Sequence, residues 1–540
     1  MRIALVFPPQ WDPRQPPLCI PTLAGVLKST GHDVRAWDMN LSLYRSILLE
    51  QSHSEKDERW IKRYLNPRTL SDYRRFGKSV DKVEDLISDG LDCSNGNELR
   101  WDAFGTGLSE DKSQNWRRAI EKPNDFPFYG RIQPIIAEVI KWKPDLLCIS
   151  INSDTQIFGG LSVASGIRTE LPQARIVLGG QALRSRRSLL VEHDWLFETI
   201  DAICVSHGEP TLEALAHNAS LEEVPNILWY DGKTVRIPEK CEPVCFSTAY
   251  EPDFSVVELD KYLSPRTVIP VETARGCPWS RCSFCGHPGI ECESEDGYIK
   301  RPLSSVLGEI ENHMSKGYSR FFYVDEAIPC ERLEALSKGL ARVKNHLSWI
   351  CYIRSEGKFD VSVFRLARQS GCLKFFIGLE TGSARLLQLH RKGATPEITR
   401  NIMLEANKAG IAIHLFLIAE FPDETEVDRK ATDEFLKDVL PSMDAFGFSY
   451  DVFQLKAEIG TPLYEQPKMF GAAGIDKSRN RDMQYEFPLL RKNVEGFQRH
   501  SRAEKRIERV IEQCLDSQKG LRNIESINDS THLLLIEGQR

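Results

Sequence analysis

The chain has 540 residues, too long for one ordinary core, so two or three domains are expected. It is 41% hydrophobic and 27% charged with a formal net charge of −7, which excludes broad electrostatic binding to nucleic acid or an anionic membrane surface. The opening "MRIALVFPPQW" has an apolar run too short for a signal peptide and no stretch reaches membrane-spanning length, so the scattered cysteines predict buried thiols in a reducing cytoplasm.

In chain order, "RIALVFP" (2–8) is a short apolar run, "TLAGVLKSTG" (22–31) has helical spacing with a glycine stop, and "DVRAWDM" (33–39) reads as a second strand. A long polar stretch over 41–143, with "LSLYRSILLEQ" and "NWRRAIEK", is expected to insert short helices. Alternation resumes with "DLLCISIN" (145–152), "ARIVLGG" (174–180) and "TIDAICVSHGE" (199–209). Continuous apolar runs ending in Gly, Ser or Asn suit parallel strands covered on both faces, and ligands of such sheets sit beyond the strands' carboxyl ends. Those ends are Pro8–Pro9, Ser150–Asn152, Gly179–Gly180–Gln181 and Gly208–Glu209. The first turn, "FPPQWDPRQPPL", is no nicotinamide loop, because proline offers no backbone N–H to a pyrophosphate. "NILWYDGKTVRIP" (226–238) is two alternating runs joined by Asp-Gly, a hairpin signal. The next segment reads as a linker, in which Cys241 and Cys245 lack a third thiol and are taken as incidental.

From residue 268 a second series begins: "VIPVETA", "RFFYVDE", "SWICYIR", "LKFFIGLE", "IAIHLFLIAEF" and "DAFGFSYDVFQL", separated by amphipathic helical stretches. Six strand–helix units fall short of a full eight-fold barrel, and sites in such barrels lie at the strands' carboxyl ends. The cysteine loop, Asp325–Glu326, Arg354, Glu380 and Glu420 fall there. Any one of these reads equally as a solvated rim residue; five on one face beside three cysteines point to a site. No acid–base dyad stands out. Near the C-terminus "GFQRHSRAEKRIERVIEQCL" reads as a helix with a basic face, and the last twenty or so residues as a polar tail.

"RGCPWSRCSFCGH" (275–287) places Cys277, Cys282 and Cys285 within nine positions, with His287 just beyond. A structural zinc wants a fourth protein ligand, which His287 supplies; an iron–sulfur cube with one open iron wants only the three thiolates. The loop alone leaves both open.

The ordered set of motifs resembles the cobalamin-binding radical SAM enzymes from residue 1 to about 465. "PPLCIPTLAGVLKSTGHDVRAWD", "LGGQAL" and "SHGEPTLEAL" are similar to elements of that family's vitamin B12 domain, and "PDFSVVELDKY" to the segment leading into its barrel. "FYVDEAI", "IRSEGKFD", "GCLKFFIGLETGSARLLQLHRKGAT", "AEFPDETEVD" and "EIGTPLY" follow in the family order. The resemblance implies an α/β chain: a Rossmann-like, doubly wound cobalamin-binding domain over 1–238, a linker over 239–265, a partial (β/α)6 TIM-like barrel over 266–465 and a helical extension over 466–540. It implies a [4Fe–4S] cluster on Cys277, Cys282 and Cys285, S-adenosylmethionine (SAM) on the open iron, Phe284 near the adenine, and Asp325–Glu326 at the amino group. Arg354 and Glu380 would serve the carboxylate and ribose, in an order left open, with close approach at Gly378 and Gly382; Glu420 is a further SAM contact, for which a structural turn with Thr425 is an equal reading.

The implied activity is methylation of an unactivated carbon of a natural-product or peptide substrate, through methylcobalamin and a 5′-deoxyadenosyl radical, with an external flavodoxin- or ferredoxin-type electron donor. A cobalamin-dependent cyclase or rearrangement enzyme is the alternative, and a non-enzymatic B12 sensor a remoter one. Two departures stand out. The cysteines are spaced C-x4-C-x2-C rather than C-x3-C-x2-C, and no D-x-H-x-x-G motif offers a histidine to cobalt, since His32 and His207 lie in other contexts. Cys19, Cys93 and Cys148 also lack the pattern of a methylthiotransferase's N-terminal cysteines.

Overall fold

The computed structural model describes residues 1–91, 97–101, 103–238, 241–246, 251–286, 297–343, 346–443, 448–478, 481–490, 500–515 and 529–538. His287 and Cys93 lie outside them, as does part of the expected linker. The chain divides into two units. One is Met1–Thr267 with Arg481–Tyr485 and Ser526–Thr531; the other is Val268–Asn480 with Glu486–Glu525 and His532–Arg540.

In the first unit the apolar runs form β1 (Arg2–Phe7), β2 (Asp33–Asp38), β3 (Leu146–Ser150), β4 (Arg175–Gly179) and β5 (Ala202–Cys204), and the Asp-Gly hairpin forms β6 (Ile227–Tyr230) and β7 (Val235–Arg236). Their order is β2-β1-β3-β4-β5-β6-β7, parallel through β5 and antiparallel in the hairpin. Reversal of winding between β1 and β3 makes a topological switch point, where ligands of doubly wound sheets bind. β1 and β3 are buried along nearly their whole length, whereas the edge strand β2 is not; Ile3, Leu5, Leu146 and Ala202 are fully buried on one face with helix α1 (Cys19–Ser29).

The insertion is more substantial than the short helices expected. It contains α2 (Met39–Gln51), α3 (Glu55–Tyr64), α4 (Tyr73–Asp89), α5 (Ser113–Glu121) and α6 (Tyr129–Trp142); α7 (Ile157–Glu170) and α8 (Gly208–Ala216) follow it in this unit. Asp38, the last residue of β2, accepts from Leu41 N and so starts α2 directly from the strand. The wholly buried Trp101 and Trp116 give the insertion an apolar interior of its own.

The second unit has six parallel strands in sequential order: β8 (Ile269–Val271), β11 (Arg320–Ile328), β12 (Ser348–Ile353), β13 (Cys372–Glu380), β14 (Ala412–Ala419) and β15 (Phe448–Gln454). A short antiparallel pair, β9 (Ala274–Gly276) and β10 (Tyr298–Lys300), brackets the cysteine loop. Helices α9 (Leu303–Ser315), α10 (Cys330–Leu340), α11 (Val361–Gln369), α12 (Ala384–Leu389), α13 (Pro396–Lys408) and α14 (Glu426–Val439) connect the strands. Thr425 is the N-cap of α14 in a reciprocal pair with Asp428, a helix-starting role.

The basic helix expected near the C-terminus is α15 (His500–Leu515), which buries Ile507 and Ile511 and pairs Arg506 with Asp433 of α14. The polar tail needs correction. Residues Asp529–Gly538 form helix α16, in which Leu533, Leu534 and Leu535 are fully buried and Glu537 accepts from Arg320 and Ser348. Four consecutive apolar residues are enough to anchor a helix that the surrounding polar composition conceals.

Candidate active site

The cysteine loop follows β9 and is held from several sides. Glu326, in the irregular stretch of β11 after Tyr323, accepts from Gly276 N at 3.0 Å. Ser283 N donates to the His390 carbonyl at 3.0 Å, and the Ser283 hydroxyl and His390 Nδ1 are 2.8 Å apart. Trp279 Nε1 donates to the Arg391 carbonyl at 2.7 Å, and Leu463 N to the Ser283 carbonyl at 2.8 Å. Any side chain at Gly393, whose φ is +65°, would collide with the Trp279 ring, so glycine there is a condition of the loop's seat. The three cysteines are free thiols, each partly exposed. Burial pushes the Cys282 thiol up, opposed by the Lys392 ammonium.

The strand-end residues fall into two groups. Glu380 and Lys392 form an ion pair at 2.5 Å, both largely buried, and a Cβ on Gly378 would strike both groups. Arg354 donates to the Lys392 and Gly393 carbonyls at 2.7 and 2.8 Å and lies 4.3 Å over the Trp279 ring. These charges stand close enough to the thiols for Glu380, Arg354, Lys392 and Cys277 all to act on Cys282. Asp325 instead turns to Thr273, accepting from its N and Oγ1 at 2.6 and 2.5 Å; burial pushes its carboxyl up to about 7. It braces the strand entering the loop. Phe284 packs in an apolar cluster with Leu386, Phe421 and Leu463. Gly382 abuts the backbone of Ala431 and Thr432 in α14, and Glu420 sits at φ +66° after β14.

Lys392, His390 and Trp279 escaped the sequence analysis. The first two lie in "LQLHRKGAT", a segment with neither strand character nor periodicity that marks it, and only the chain's return after α12 brings it under the loop. Glu458, just beyond β15, was missed as well. Its carboxylate packs on Gly286, immediately after Cys285, and burial pushes it up to about 7. Among the described residues no three His, Cys, Asp or Glu side chains converge as they would around one metal ion. Thiolates holding a cube need not converge, since each takes a different iron.

In the first unit the expected loops gather at the carboxyl ends of adjacent strands. Gln156 Nε2 donates to the Pro8 carbonyl at 2.7 Å while its Oε1 accepts from Asn152 N at 2.9 Å, tying the loop after β1 to that after β3. Ser150 pairs with Gly179 in register. Gly180 has φ +113°, and a Cβ there would strike the Ile151 carbonyl; one on Gly159 would strike that of Pro9. Asn152 Nδ2 lies 3.2 Å from Cys19 Sγ. Gln181 begins the short helix after β4, and Gly208 and the buried Glu209 begin another after β5. Arg186, wholly buried, makes a two-pronged ion pair with Asp154 at 2.6 and 3.0 Å and joins the helices that follow these loops.

Residues 271–436 match the radical SAM superfamily. The chain contains a radical SAM domain. It is 25% identical over 315 residues to an uncharacterized methyltransferase of Pyrococcus horikoshii, covering 56% of this chain and 66% of that one. It is 24% identical over 301 residues to the hopanoid C-3 methylase of Methylococcus capsulatus, covering 53% and 55%. The chain thus spans less than two thirds of the length of either curated relative. The radical SAM methyltransferase TsrM from Kitasatospora setae, whose structure holds cobalamin and a [4Fe–4S] cluster, superposes with a TM-score of 0.56 at 16% identity, over 86% of this chain and 78% of TsrM. The radical SAM domain therefore belongs to a chain with the fold of TsrM. No helix of the described residues is long and apolar enough to cross a membrane.

Proposed function

We propose that this chain is a cobalamin-dependent radical SAM enzyme that methylates an unactivated carbon of a small-molecule or peptide substrate. The observation that carries the reading is the cysteine loop, which follows the first strand of a parallel sheet and is pinned by Ser283, Trp279 and Glu326 beside the Glu380–Lys392 pair and Arg354.

Cys277, Cys282 and Cys285 would hold the cluster; the loop fits it because three thiols are accessible and no described protein group completes a single-metal set. When bound, the cluster and SAM supply a hydrogen-abstracting carbon radical, and cobalamin a transferable methyl group. The protein's work is binding and orientation. Lys392 and Arg354 place two cations beside the thiols, where they suit SAM's carboxylate, and Glu380 or Glu326 offers an acceptor to its amino group. In the first unit, the loops at Pro8–Pro9, Ser150–Asn152, Gly179–Gln181 and Gly208–Glu209 would hold cobalamin. Glycines at 159 and 180 let these loop backbones close on one another, which gathers the loops at one end of the sheet. An external one-electron donor of flavodoxin or ferredoxin type would reduce the cluster.

Anaerobic reconstitution with iron, sulfide and cobalamin, then incubation with methyl-deuterated SAM, reductant and candidate substrates, tests the reading. Label in a carbon-bound methyl group together with 5′-deoxyadenosine supports it. Release of 5′-deoxyadenosine with an unlabelled, rearranged product replaces methylation by rearrangement. A reconstituted protein that neither binds cobalamin nor cleaves SAM refutes it.

A further inference from the structure

The inner face of the second unit's sheet carries a feature that cluster and SAM binding do not explain. Along β13, Lys374, Phe376, Gly378 and Glu380 share that face; Phe376 neighbours Phe322 of β11 at 5.6 Å, Tyr352 of β12 at 4.7 Å and Phe416 of β14 at 6.3 Å. Phe416 in turn neighbours Phe453 of β15 at 5.8 Å, so a wall of aromatic rings crosses five strands. The rings become more exposed toward the carboxyl end of β15, the last strand of the sheet. Phe376 is 1% exposed, whereas Phe453 is 50% exposed although large and apolar.

Asp451 stands on the same strand face as Phe453. It lies 3.2 Å from His414 Nε2, yet its side chain is 55% exposed. The neighbouring His414 ring, together with the Lys374 ammonium, holds the carboxyl below the usual carboxylate range, so the group beside the rings is an anion. Of the cations on this face, Lys374 acts on Asp451 through space while sitting 2.6 Å from His532 and 4.4 Å over Phe376; Lys392 is paired with Glu380, and Arg354 serves the 392–393 carbonyls and Trp279. A carboxylate beside electron-rich ring faces suits a ligand that brings positive charge together with apolar area. An anion is repelled by both, and a neutral ligand gains only the stacking.

We propose that this face takes the substrate as a protonated amine borne on a flat apolar body, with the ammonium at Asp451 and the body against Phe416 and Phe453. This names a substrate class for the radical SAM reading and rests on it.

Three probes of nearly equal size isolate the charge: 1-naphthylmethylamine, 1-naphthylmethanol and 1-naphthoate. Their binding to the full-length, anaerobically reconstituted protein with SAM, measured calorimetrically without reductant, should favour the amine over the alcohol by about tenfold, with the carboxylate weakest. Asp451→Asn should bring the amine to about the alcohol's affinity and leave the alcohol unchanged, while Phe453→Ala weakens both by a similar factor. Iron content and near-ultraviolet circular dichroism report whether each variant is folded. The proposal is overturned if the alcohol or carboxylate binds as well as the amine, if the amine does not bind at millimolar concentration, or if folded Asp451→Asn keeps the preference. Because no turnover is involved, these outcomes are separate from SAM cleavage. A wild-type protein that releases no 5′-deoxyadenosine on reduction fails the radical reading instead, whatever its probe preference.

Discussion

Ser283 and His390 clasp each other twice, once through backbone and once through side chains, and so fasten the middle of the cysteine loop to the segment that follows α12. His390 is 1% exposed, and burial holds its ring down to about 4, so it is neutral at physiological pH and a hydrogen-bonding partner rather than a charge. The clasp lies between Cys282 and Cys285, and the same return of chain delivers Lys392 to Glu380.

Removing the ring should therefore loosen the loop before it harms the sheet. His390→Ala gives up a buried hydrogen bond worth about 1–3 kcal/mol and leaves Ser283 unsatisfied. Reconstituted iron should fall by about half or more, with little change in far-ultraviolet circular dichroism. His390→Asn, which keeps a polar group near the Nδ1 position, should recover part of the iron. Unchanged iron in His390→Ala would remove the clasp from the account.

Each single cysteine change tests the ligand set. Cys277→Ala, Cys282→Ala and Cys285→Ala should each lower reconstituted iron from about four per chain to about one or less, and abolish SAM cleavage. Cys241→Ala is the control and should retain full iron, since Cys241 lies in the other unit.

The Glu380–Lys392 pair separates stability from binding. Lys392→Met strands a largely buried carboxylate and should cost about 3–5 kcal/mol in denaturant unfolding of the apo protein. Replacing both, Glu380→Leu with Lys392→Met, should return most of that stability because no lone charge is left, yet SAM binding should stay at least about tenfold weakened. A double variant that binds SAM normally would make the pair purely structural.

Gly180 tests the first unit's loops. At φ +113°, with the Ile151 carbonyl where a side chain would go, Gly180→Ala should destabilise that unit by about 1–3 kcal/mol and reduce cobalamin retention. Gly31→Ala also replaces a positive-φ glycine but has open space around it; it should cost less and leave cobalamin retention alone.

Asp38 gives a pH dependence of defined sign. Burial pushes its carboxyl up to about 6, from an ordinary value of 3.8. Between those values the folded state holds a proton that the unfolded state releases, so stability is fullest below the unfolded value and falls as pH rises through about 6, by about 3 kcal/mol. Asp38→Asn keeps an acceptor for Leu41 N and should flatten that slope in urea titrations across the window.

Much of this was legible in the chain. Parallel strands buried on both faces must be written as continuous apolar runs, so both sheets could be placed from sequence, and the Asp-Gly hairpin announced itself by turn chemistry. The cysteine loop was legible because a single segment carries all three thiols. Burial by a short apolar segment was not, since the "LLLI" of α16 is outweighed by polar neighbours in any window average.

What the sequence by itself determined is the order of strands and helices, the three thiols, and the switch-point loops, because each is encoded by residues adjacent along the chain. Only the tertiary structure decided which side chains meet across it: Lys392 with Glu380, His390 with Ser283, and Asp451 with His414 on an aromatic wall drawn from five strands. The same folding turned Asp325 to Thr273 rather than toward the thiols. The reason is physical. A strand's two-residue period says which face a side chain takes, but strand register, and the path of the loops beyond the strands, decide what stands opposite it.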